Sequence, residues 1–417
     1  MAVVLRILIA FIALYGCYRL AVGSARNGYA RLFITASIIQ SQVEPADNAV
    51  RLSPKDPEAH YTRGLGLANH DRLQEAAGEL RQAVELRPHH FYQWLDLGLT
   101  LDQLNDQQGA LDAFNESIRL APTFTQPRWQ LGSFLYRQGK YEQAFSELRA
   151  GAKSNRTFFL TLMDLAWAAT GGDVSQVERL VDPQDSTSRL SLANYFAKHA
   201  MGPSAVNQVR LAGVPSQEAD QALLKETIAS LLQSKLYIDA RAAWLTTHGE
   251  SGGPGQGSNQ VVNGDFVEPI AQNDPGFGWQ VAPVAGVTVS IDQSGPSEGI
   301  RAICLNLAGE VNPATQLLYQ FALVRPRTRN SLSFMTRTQD LVSGGPAVLR
   351  VYDGNNGRIL GESRIPTGTN NWSKAQIDFT SEESAAVIIS VQRLICSESP
   401  CPIFGKLWLS HFSLAAG

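Results

Sequence analysis

Residues 94–122 have the sequence WLDLGLTLDQLNDQQGALDAFNESIRLAP, and the spacing of its small residues recurs on both sides of it. Three positions repeat every 34 residues, and they are occupied by Gly64, Gly98 and Gly132, by Ala76, Ala110 and Ala144, and by Pro88 and Pro122. A fixed period of this length is typical of a solenoid in which each unit is a pair of helices. At least about three such units must stack to bury a continuous core.

The unit at residues 91–124 resembles the tetratricopeptide repeat (TPR) family. It carries the residue types of the family signature at Trp94, Leu97, Gly98, Leu101, Ala110, Phe114 and Pro122. The small residues let the two helices of a unit approach closely, and the larger residues fill the remaining space. The resemblance implies a helical array whose function is recognition of a partner.

The flanking units match the same signature less completely. In residues 57–90, His60 and Arg63 stand where an aromatic residue and a leucine are usual, and residues 125–158 lack the closing proline. We also expect a degenerate unit at residues 24–56, with its second helix weakened by Pro45, and divergent units at residues 157–248. The sequence therefore predicts an all-α TPR-type solenoid over residues 24–248.

Solenoids of this kind bind partners on a concave face lined by the first helix of each unit. By resemblance, the groove of this chain is lined by Tyr61, Leu65, Tyr92, Leu95, Leu99, Gln126, Trp129 and Ser133. The set is apolar and aromatic, and it lacks the basic and Asn residues with which some relatives clamp an acidic peptide C-terminus. A hydrophobic peptide or helix is therefore the expected partner. At each position the alternative is packing against the next helix.

An apolar run lies at residues 7–18, with Arg6 before it and Arg19 after it. A membrane span needs about 20 apolar residues, and residues 3–22 reach that length if the two arginines extend to the interfaces. We therefore expect residues 1–23 to be a signal anchor. A cleaved signal peptide has the same pattern, and Leu14-Tyr15-Gly16-Cys17 resembles a lipoprotein box, so both alternatives stay open. The expected location is the bacterial inner membrane, with a single pass and the bulk of the chain on the periplasmic side.

The sequence changes character after residue 248. Residues 249–258 read GESGGPGQGS, a composition typical of a flexible linker. Beyond it, alternating apolar residues such as Val287/Val289/Ile291, Ile303/Leu305/Leu307, Leu332/Phe334, Ala375/Ile377/Phe379 and Leu407/Leu409 predict strands. We therefore predict an antiparallel β-sandwich, a jelly roll, over residues 259–417.

This C-terminal part resembles galactose-binding-like carbohydrate-binding modules. The resemblance rests on Val262-Asn263-Gly264-Asp265-Phe266, Gly278-Trp279, Asn371-Trp372 and Gly405-Lys406-Leu407-Trp408-Leu409, which occur in the order of such modules. Relatives often place a calcium-ligating Asp after the last motif, where this chain has Ser410-His411, so structural calcium is doubtful and no other cofactor is expected.

Sugar binding would require aromatic platforms with a few polar groups. The candidates are Trp279, Tyr352, Trp372 and Trp408. For Trp279 and Trp408 the alternative is a role as core anchors. Carbohydrate binding therefore rests on fold-level analogy.

Cys396 and Cys401 enclose Ser-Glu-Ser-Pro, a loop that a disulfide can close if the chain turns back. Free thiols are the alternative, and a zinc site lacks further ligands at matching spacing. A disulfide would place this domain in an oxidising compartment, which agrees with export through the N-terminal segment.

The charge pattern and the motifs exclude several functions. The formal net charge is −3, with no basic stripe, so no nucleic-acid binding is expected. The histidines show no metal-ligand spacing, and Gly295-Pro296-Ser297-Glu298-Gly299 matches the nucleophile-elbow motif but precedes a strand instead of a helix. The sequence therefore predicts a non-enzymatic protein.

Together these observations predict a multidomain α-then-β chain that is a membrane-anchored scaffold of the bacterial envelope. Its solenoid would bind a protein partner, and its jelly roll would meet polysaccharide, as in exopolysaccharide assembly or export. The alternative is an assembly factor of a secretion or pilus machine, in which the jelly roll contacts protein.

Overall fold

The structure, a computed structural model, describes residues 2–153, 155–248, 260–270, 274–313, 315–396 and 401–416, with side chains from residue 6 onward. The chain forms two compact units, Met1–Asp182 and Pro183–Gly417. The predicted linker 249–258 lies outside the described residues. The boundary between the compact units is at residue 182. It does not test the domain limits drawn from the sequence, which stay a prediction.

The first unit is all helical. Its helices are α1 Ala2–Gln40, α2 Val43–Leu52, α3 Pro57–Asn69, α4 Leu73–Leu86, α5 Phe91–Gln103, α6 Gln107–Leu120, α7 Thr125–Arg137, α8 Tyr141–Ala152, α9 Arg156–Thr170 and α10 Val174–Val181. The pairs α3/α4, α5/α6 and α7/α8 fall within the three predicted repeats. The TPR-type solenoid is therefore confirmed.

The helices of each repeat touch at a glycine. A Cβ atom added to Gly98 would lie 2.8 Å from Cδ1 of Phe114, so that the ring of α6 packs directly on the backbone of α5. The same contact joins Gly64 to Leu80 and Gly132 to Leu148, with Cβ-to-Cγ distances of 2.8 and 2.6 Å. Phe114, Leu80 and Leu148 are all 0% exposed. The 34-residue period is thus the period of one repeated interhelical contact.

Helix α1 continues without interruption from the apolar segment into the solenoid. Its second half packs on α2, with Ala30, Ile34 and Ala49 buried in one cluster together with Ala59 of α3. Pro45 does not prevent α2, because it is the third residue of that helix, where the backbone N–H has no intrahelical acceptor. From Arg6 onward, α1 is long and apolar enough to cross a membrane.

The second unit begins with the helices α11 Ser186–Lys198, α12 Gly202–Ala212, α13 Glu218–Gln233 and α14 Tyr237–His248. Helix α11 starts at a capping box, in which the Asp185 side chain accepts a hydrogen bond from the Ser188 backbone N–H. Helices α11 and α12 are neighbours, and α14 packs on both α12 and α13. These helices lie within residues 157–248, where divergent repeat units are predicted.

The rest of the described chain forms strands and the loops that precede and connect them. The strands are β1 Gln280–Val281, β2 Val287–Asp292, β3 Ala302–Glu310, β4 Leu318–Leu323, β5 Arg329–Ser343, β6 Ala347–Asp353, β7 Ile359–Arg364, β8 Gly368–Thr380, β9 Ala386–Arg393 and β10 Pro402–Ala416. They form two antiparallel sheets, ordered β1-β4-β9-β6-β7 and β2-β3-β10-β5-β8. Every connection from β3 to β10 crosses to the other sheet except the β6–β7 hairpin, which is the topology of a jelly roll.

Helix α14 is attached to the sandwich by a buried polar contact. The indole N–H of Trp244 donates to both oxygens of Asp274, at 2.8 and 2.9 Å, and Trp244 and Asp274 are 2% and 6% exposed. At the other end of the helix, the Tyr237 hydroxyl donates to the carbonyl of Gly354 in the β6–β7 turn at 2.5 Å. The last helix and the sandwich therefore share one packed interior.

We expect Gly98→Val to lower the free energy of unfolding of the helical array by roughly 2 kcal/mol, because the new side chain overlaps the Phe114 ring. The control is Gly78→Val in α4, where a Cβ atom meets nothing within 4 Å. Valine is the better helix former, so this control should keep or slightly raise the stability. The measurement is the urea midpoint of the helical circular-dichroism signal. Equal midpoints for the two variants would show that the glycine contact is not required.

Candidate functional site

Contacts between successive first helices define one face of the solenoid. The Tyr61 hydroxyl of α3 donates to Oδ2 of Asp96 in α5 at 2.5 Å, and the Arg137 guanidinium of α7 donates to Asp102 of α5. The Tyr136 hydroxyl of α7 donates to the carbonyl of Leu165 in α9 at 3.3 Å. Helices α3, α5, α7 and α9 are therefore neighbours, and we call their shared exposed surface the first-helix face.

The predicted groove residues lie on α3, α5 and α7 with different exposures. Tyr92 is 45% exposed, and Gln126 is also exposed. Five others are partly buried: Tyr61, Leu65, Leu99, Trp129 and Ser133. Leu95 is 3% exposed and belongs to the core of the repeats, so it offers little surface to a partner.

The face has an aromatic end that the sequence did not predict. The Trp129 ring stacks on Phe158 with centroids 4.3 Å apart and planes 11° from parallel. Phe124 is 49% exposed, and a cavity of about 390 Å³ lies between it and Phe158, lined also by Gln126 and Asn155. Phe124 and Phe158 are 34 residues apart, so the repeat period alone could have identified them.

The face holds one unusual polar pair. Burial raises the pKa of Asp96, although the hydrogen bond from Tyr61 acts in the opposite direction. Burial is also the main cause that raises the pKa of Tyr61. A carboxylate kept in a partly buried, apolar setting is a feature of functional sites. Asp96 was not among the predicted groove residues.

The four aromatic residues predicted as a sugar platform lie in three places. Trp279 is 2% exposed and packs with Phe266 and Phe412 inside the sandwich, so it is a core residue. Tyr352 lies on β6 and donates its hydroxyl hydrogen to Gln392 at 2.5 Å. Trp372 and Trp408 lie on the other sheet. Of the four, the structure therefore brings together Trp372 and Trp408.

Trp408 and Trp372 belong to a row of side chains across the sheet β2-β3-β10-β5-β8. Trp408 pairs in register with Cys304 on β3 and with Arg337 on β5. The guanidinium of Arg337 lies 4.7 Å from the Trp408 ring centroid, and Trp372 packs against the same cluster. Trp408 is nevertheless only 5% exposed, and its indole N–H donates to Asp292 at 2.9 Å. Arg337 and Trp372 are the partly exposed members.

Ser410 and His411, which stand where relatives often have a calcium ligand, form hydrogen bonds with other residues of the sandwich. The Ser410 hydroxyl donates to the carbonyl of Arg301, and Nδ1 of His411 lies 2.8 Å from Oδ1 of Asp265. Within the described residues, no group of three or more His, Cys, Asp or Glu side chains is arranged to hold a metal ion.

The cysteines have separate environments. Cys396 and Cys401 are joined in a disulfide with Cα atoms 5.9 Å apart. The buried Arg393 donates to the carbonyl of Cys401 at 2.6 Å and holds the chain beside this bond. Burial raises the pKa of the Cys304 thiol, and Cys17 lies exposed in α1.

Two curated relatives match part of the chain. Residues of this chain are 31% identical over 109 positions to the peroxisomal targeting signal receptor of Candida albicans, covering 25% of this chain and 18% of that protein. The receptor of the same name from Saccharomyces cerevisiae is 25% identical over 118 positions, covering 28% and 19%. The chain thus spans about a fifth of the length of these relatives.

Several solved structures are similar to part of the chain. MamA is 14% identical over 38% of this chain and 90% of its own, with a TM-score of 0.33. PilF of Pseudomonas aeruginosa is 19% identical over 48% of this chain and 97% of its own, with a TM-score of 0.34. A structure described as CBM4 is 14% identical over 38% of this chain and 99% of its own, with a TM-score of 0.29.

We expect Asp96→Asn to raise the urea midpoint of the helical signal at pH 7. Burial raises the pKa of Asp96, so the stability associated with its protonated form is present below the unfolded pKa of 3.8 and is lost as the pH rises through the folded pKa. Asparagine removes the charge but keeps an acceptor for Tyr61. The difference between the urea midpoints of the variant and the wild type should shrink as the pH is lowered, because the Asp96 carboxyl of the wild type then becomes protonated.

The control for this measurement is Asp112→Asn at an exposed position of α6, which should leave the midpoint unchanged. A lower midpoint for Asp96→Asn at pH 7 would contradict the proposed cost of the buried charge.

The sequence pattern of the tetratricopeptide repeat family matches residues 94–124. This range covers most of α5, all of α6 and the turn that follows. It contains the Gly98–Phe114 contact that recurs in the neighbouring pairs. The chain therefore contains a tetratricopeptide repeat within a helical array of the same period, and a C-terminal β-sandwich.

Proposed function

We propose that this protein is a membrane-anchored, non-catalytic scaffold that binds a protein partner on the first-helix face. The observation that carries this proposal is the row of apolar and aromatic side chains left partly exposed along α5, α7 and the start of α9. Tetratricopeptide repeats mediate protein–protein interaction, and their first helices form the usual binding surface.

The chemistry of the face favours an apolar partner segment. Tyr92, Phe124 and Trp129 supply rings with few rotatable bonds, which suits the anchors of a binding interface. Arg137 is already paired with Asp102, and Tyr61 donates to Asp96, so these polar groups already have partners within the face. The partner is therefore an extended hydrophobic peptide or an amphipathic helix, and not an acidic peptide end.

The membrane attachment and location are part of the proposal. Helix α1 supplies an apolar segment long enough for a single span. The Cys396–Cys401 disulfide supports an oxidising compartment for the sandwich. We infer a protein of the bacterial inner membrane whose bulk lies on the periplasmic side, with a lipoprotein or secreted form as the alternatives.

For the sandwich we propose contact with polysaccharide through the row that contains Trp372 and Arg337. An indole face beside a guanidinium can stack on a sugar ring and donate hydrogen bonds to its hydroxyls. A galactose-binding-like role of this kind fits exopolysaccharide assembly or export.

One observation favours a second candidate function. Trp408 is covered by its neighbours, so the row offers a single partly exposed indole instead of an open pair of platforms. Such a surface suits protein docking, as in an assembly factor of a secretion or pilus machine.

The partner site is tested by photocrosslinking from the full chain in its membrane. A benzophenone amino acid at Gln126, on the first-helix face, should crosslink a partner, whereas the same group at Asp112 of α6 should not. Tyr92→Arg places a charge in the apolar face at an exposed position, so it should reduce the Gln126 yield about tenfold without unfolding the array. Equal yields from Gln126 and Asp112, or no effect of Tyr92→Arg, would reject the site.

Calorimetric titration of the full chain with envelope polysaccharide fragments separates the two roles of the sandwich. Saturable heat that is lost in Trp372→Ala and kept in Tyr352→Ala would support a glycan site on the row, since Tyr352 lies on the opposite sheet. Absence of heat with every fragment would favour the protein-docking function.

A further inference from the structure

A second cavity lies where α1 leaves its apolar segment. It has a volume of about 570 Å³, and its lining comes from Gly23, Arg26 and Arg31 of α1, from the α2–α3 loop, and from Arg87 after α4. The N-terminal apolar segment of α1 ends at Val22, directly before Gly23. The cavity is therefore at the end of the solenoid closest to the predicted membrane span.

The lining of this cavity is strongly basic. It contains four cationic side chains, Arg26, Arg31, Lys55 and Arg87, and one acidic side chain, Asp56. Their formal charges sum to +3, in a protein whose total net charge is −3. Such a local excess of positive charge selects for an anion.

Existing ion pairs neutralise only part of this charge. Nε of Arg31 lies 3.5 Å from Asp56, and a guanidinium nitrogen of Arg87 lies 3.2 Å from Glu58. Lys55 makes no hydrogen bond or ion pair with the described part of the chain. Arg26 uses two of its donors on the carbonyl of Leu52, at 2.9 and 3.1 Å, and a guanidinium has five N–H groups.

Contacts within the protein hold the walls of the cavity in place. The same Arg26 contact fixes the end of α2 against α1, and the Ser53 hydroxyl donates to Asn27 at 2.8 Å. The α2–α3 loop that carries Lys55 is therefore held at the height of Arg26 along the axis of α1. A preformed site loses little conformational entropy on binding.

This height coincides with the headgroup layer of a bilayer. A span of about 20 residues from Val3 to Val22 crosses the hydrocarbon core of about 30 Å, and each further residue adds about 1.5 Å. Arg26 then lies about 6 Å beyond the hydrocarbon, and the polar headgroup layer is about 5–7 Å thick on each side.

We propose that this cavity binds the phosphate of an anionic lipid headgroup in the membrane that α1 enters. The inference rests on the proposed membrane anchor and specifies the lipid surface that the anchor prefers. The guanidinium of Arg26 and the ammonium of Lys55 supply hydrogen-bond donors to phosphate oxygens, and the unpaired positive charge favours a headgroup with net negative charge. The site would fix the first repeat against the bilayer.

The test uses the full chain in nanodiscs of phosphatidylcholine that contain phosphatidylglycerol as the anionic lipid. After transfer to a neutral detergent, native mass spectrometry reports which lipid stays bound. The wild type should retain phosphatidylglycerol in preference to phosphatidylcholine. Each basic residue near a membrane surface contributes about fivefold to the affinity for anionic lipid. The double variant Lys55→Gln/Arg87→Gln should therefore reduce the retention of phosphatidylglycerol about 25-fold.

Lys140→Gln is the matched control, because Lys140 is an exposed lysine in the turn between α7 and α8, at the opposite edge of the repeats. It should retain phosphatidylglycerol like the wild type. Equal retention of the two lipids, or an equal loss in Lys140→Gln, would overturn the inference. Displacement of the lipid by inorganic phosphate at millimolar concentration would assign the cavity to free phosphate and overturn the lipid assignment.

The same experiment separates this inference from the proposed anchor. If the chain stays in the nanodisc but shows no preference for phosphatidylglycerol, the proposed anchor stands and the lipid site is rejected. If the chain does not enter the nanodisc, both proposals are rejected, because the headgroup layer is then not at the height of Arg26.

Discussion

The contact between a glycine of one helix and a large apolar side chain of the next is the interaction on which the helical array depends. At Gly64, Gly98 and Gly132 there is no room for a Cβ atom, so the two helices of each repeat are closer than ordinary side chains permit. Because this contact recurs with one period, successive first helices lie next to one another. The exposed surface that they share is a consequence of that packing.

This arrangement explains why the candidate partner site is distributed over several repeats. Each repeat contributes one or two side chains, and hydrogen bonds such as Tyr61 to Asp96 connect one repeat to the next. A partner that binds the face would contact residues about 34 positions apart in sequence. The stacking of Trp129 of α7 on Phe158 of α9 shows that these two helices continue the same surface.

The attachment of helix α14 to the β-sandwich has a different basis, which is the burial of a polar group together with its partners. Asp274 is buried, and donors for its carboxylate come from the indole of Trp244 and from the backbone of Gly276. Helix α14 is therefore part of the same packed unit as the strands, although it lies within the range of the predicted divergent repeat units. Among the aromatic residues, Trp279 fills the interior, whereas Trp372 remains at the surface.

The sequence by itself determined the features that depend on neighbouring positions or on a regular period. These are the repeat at Gly98 and Ala110, the apolar segment before Gly23 and the alternation of the strands, since periodicity directly reflects which side of a helix or strand is buried. Which of the tryptophans are exposed, and that Arg26, Lys55 and Arg87 surround one cavity, was decided by the tertiary structure alone. Residues far apart in sequence meet only through packing, and the burial of one aromatic ring depends on every element around it.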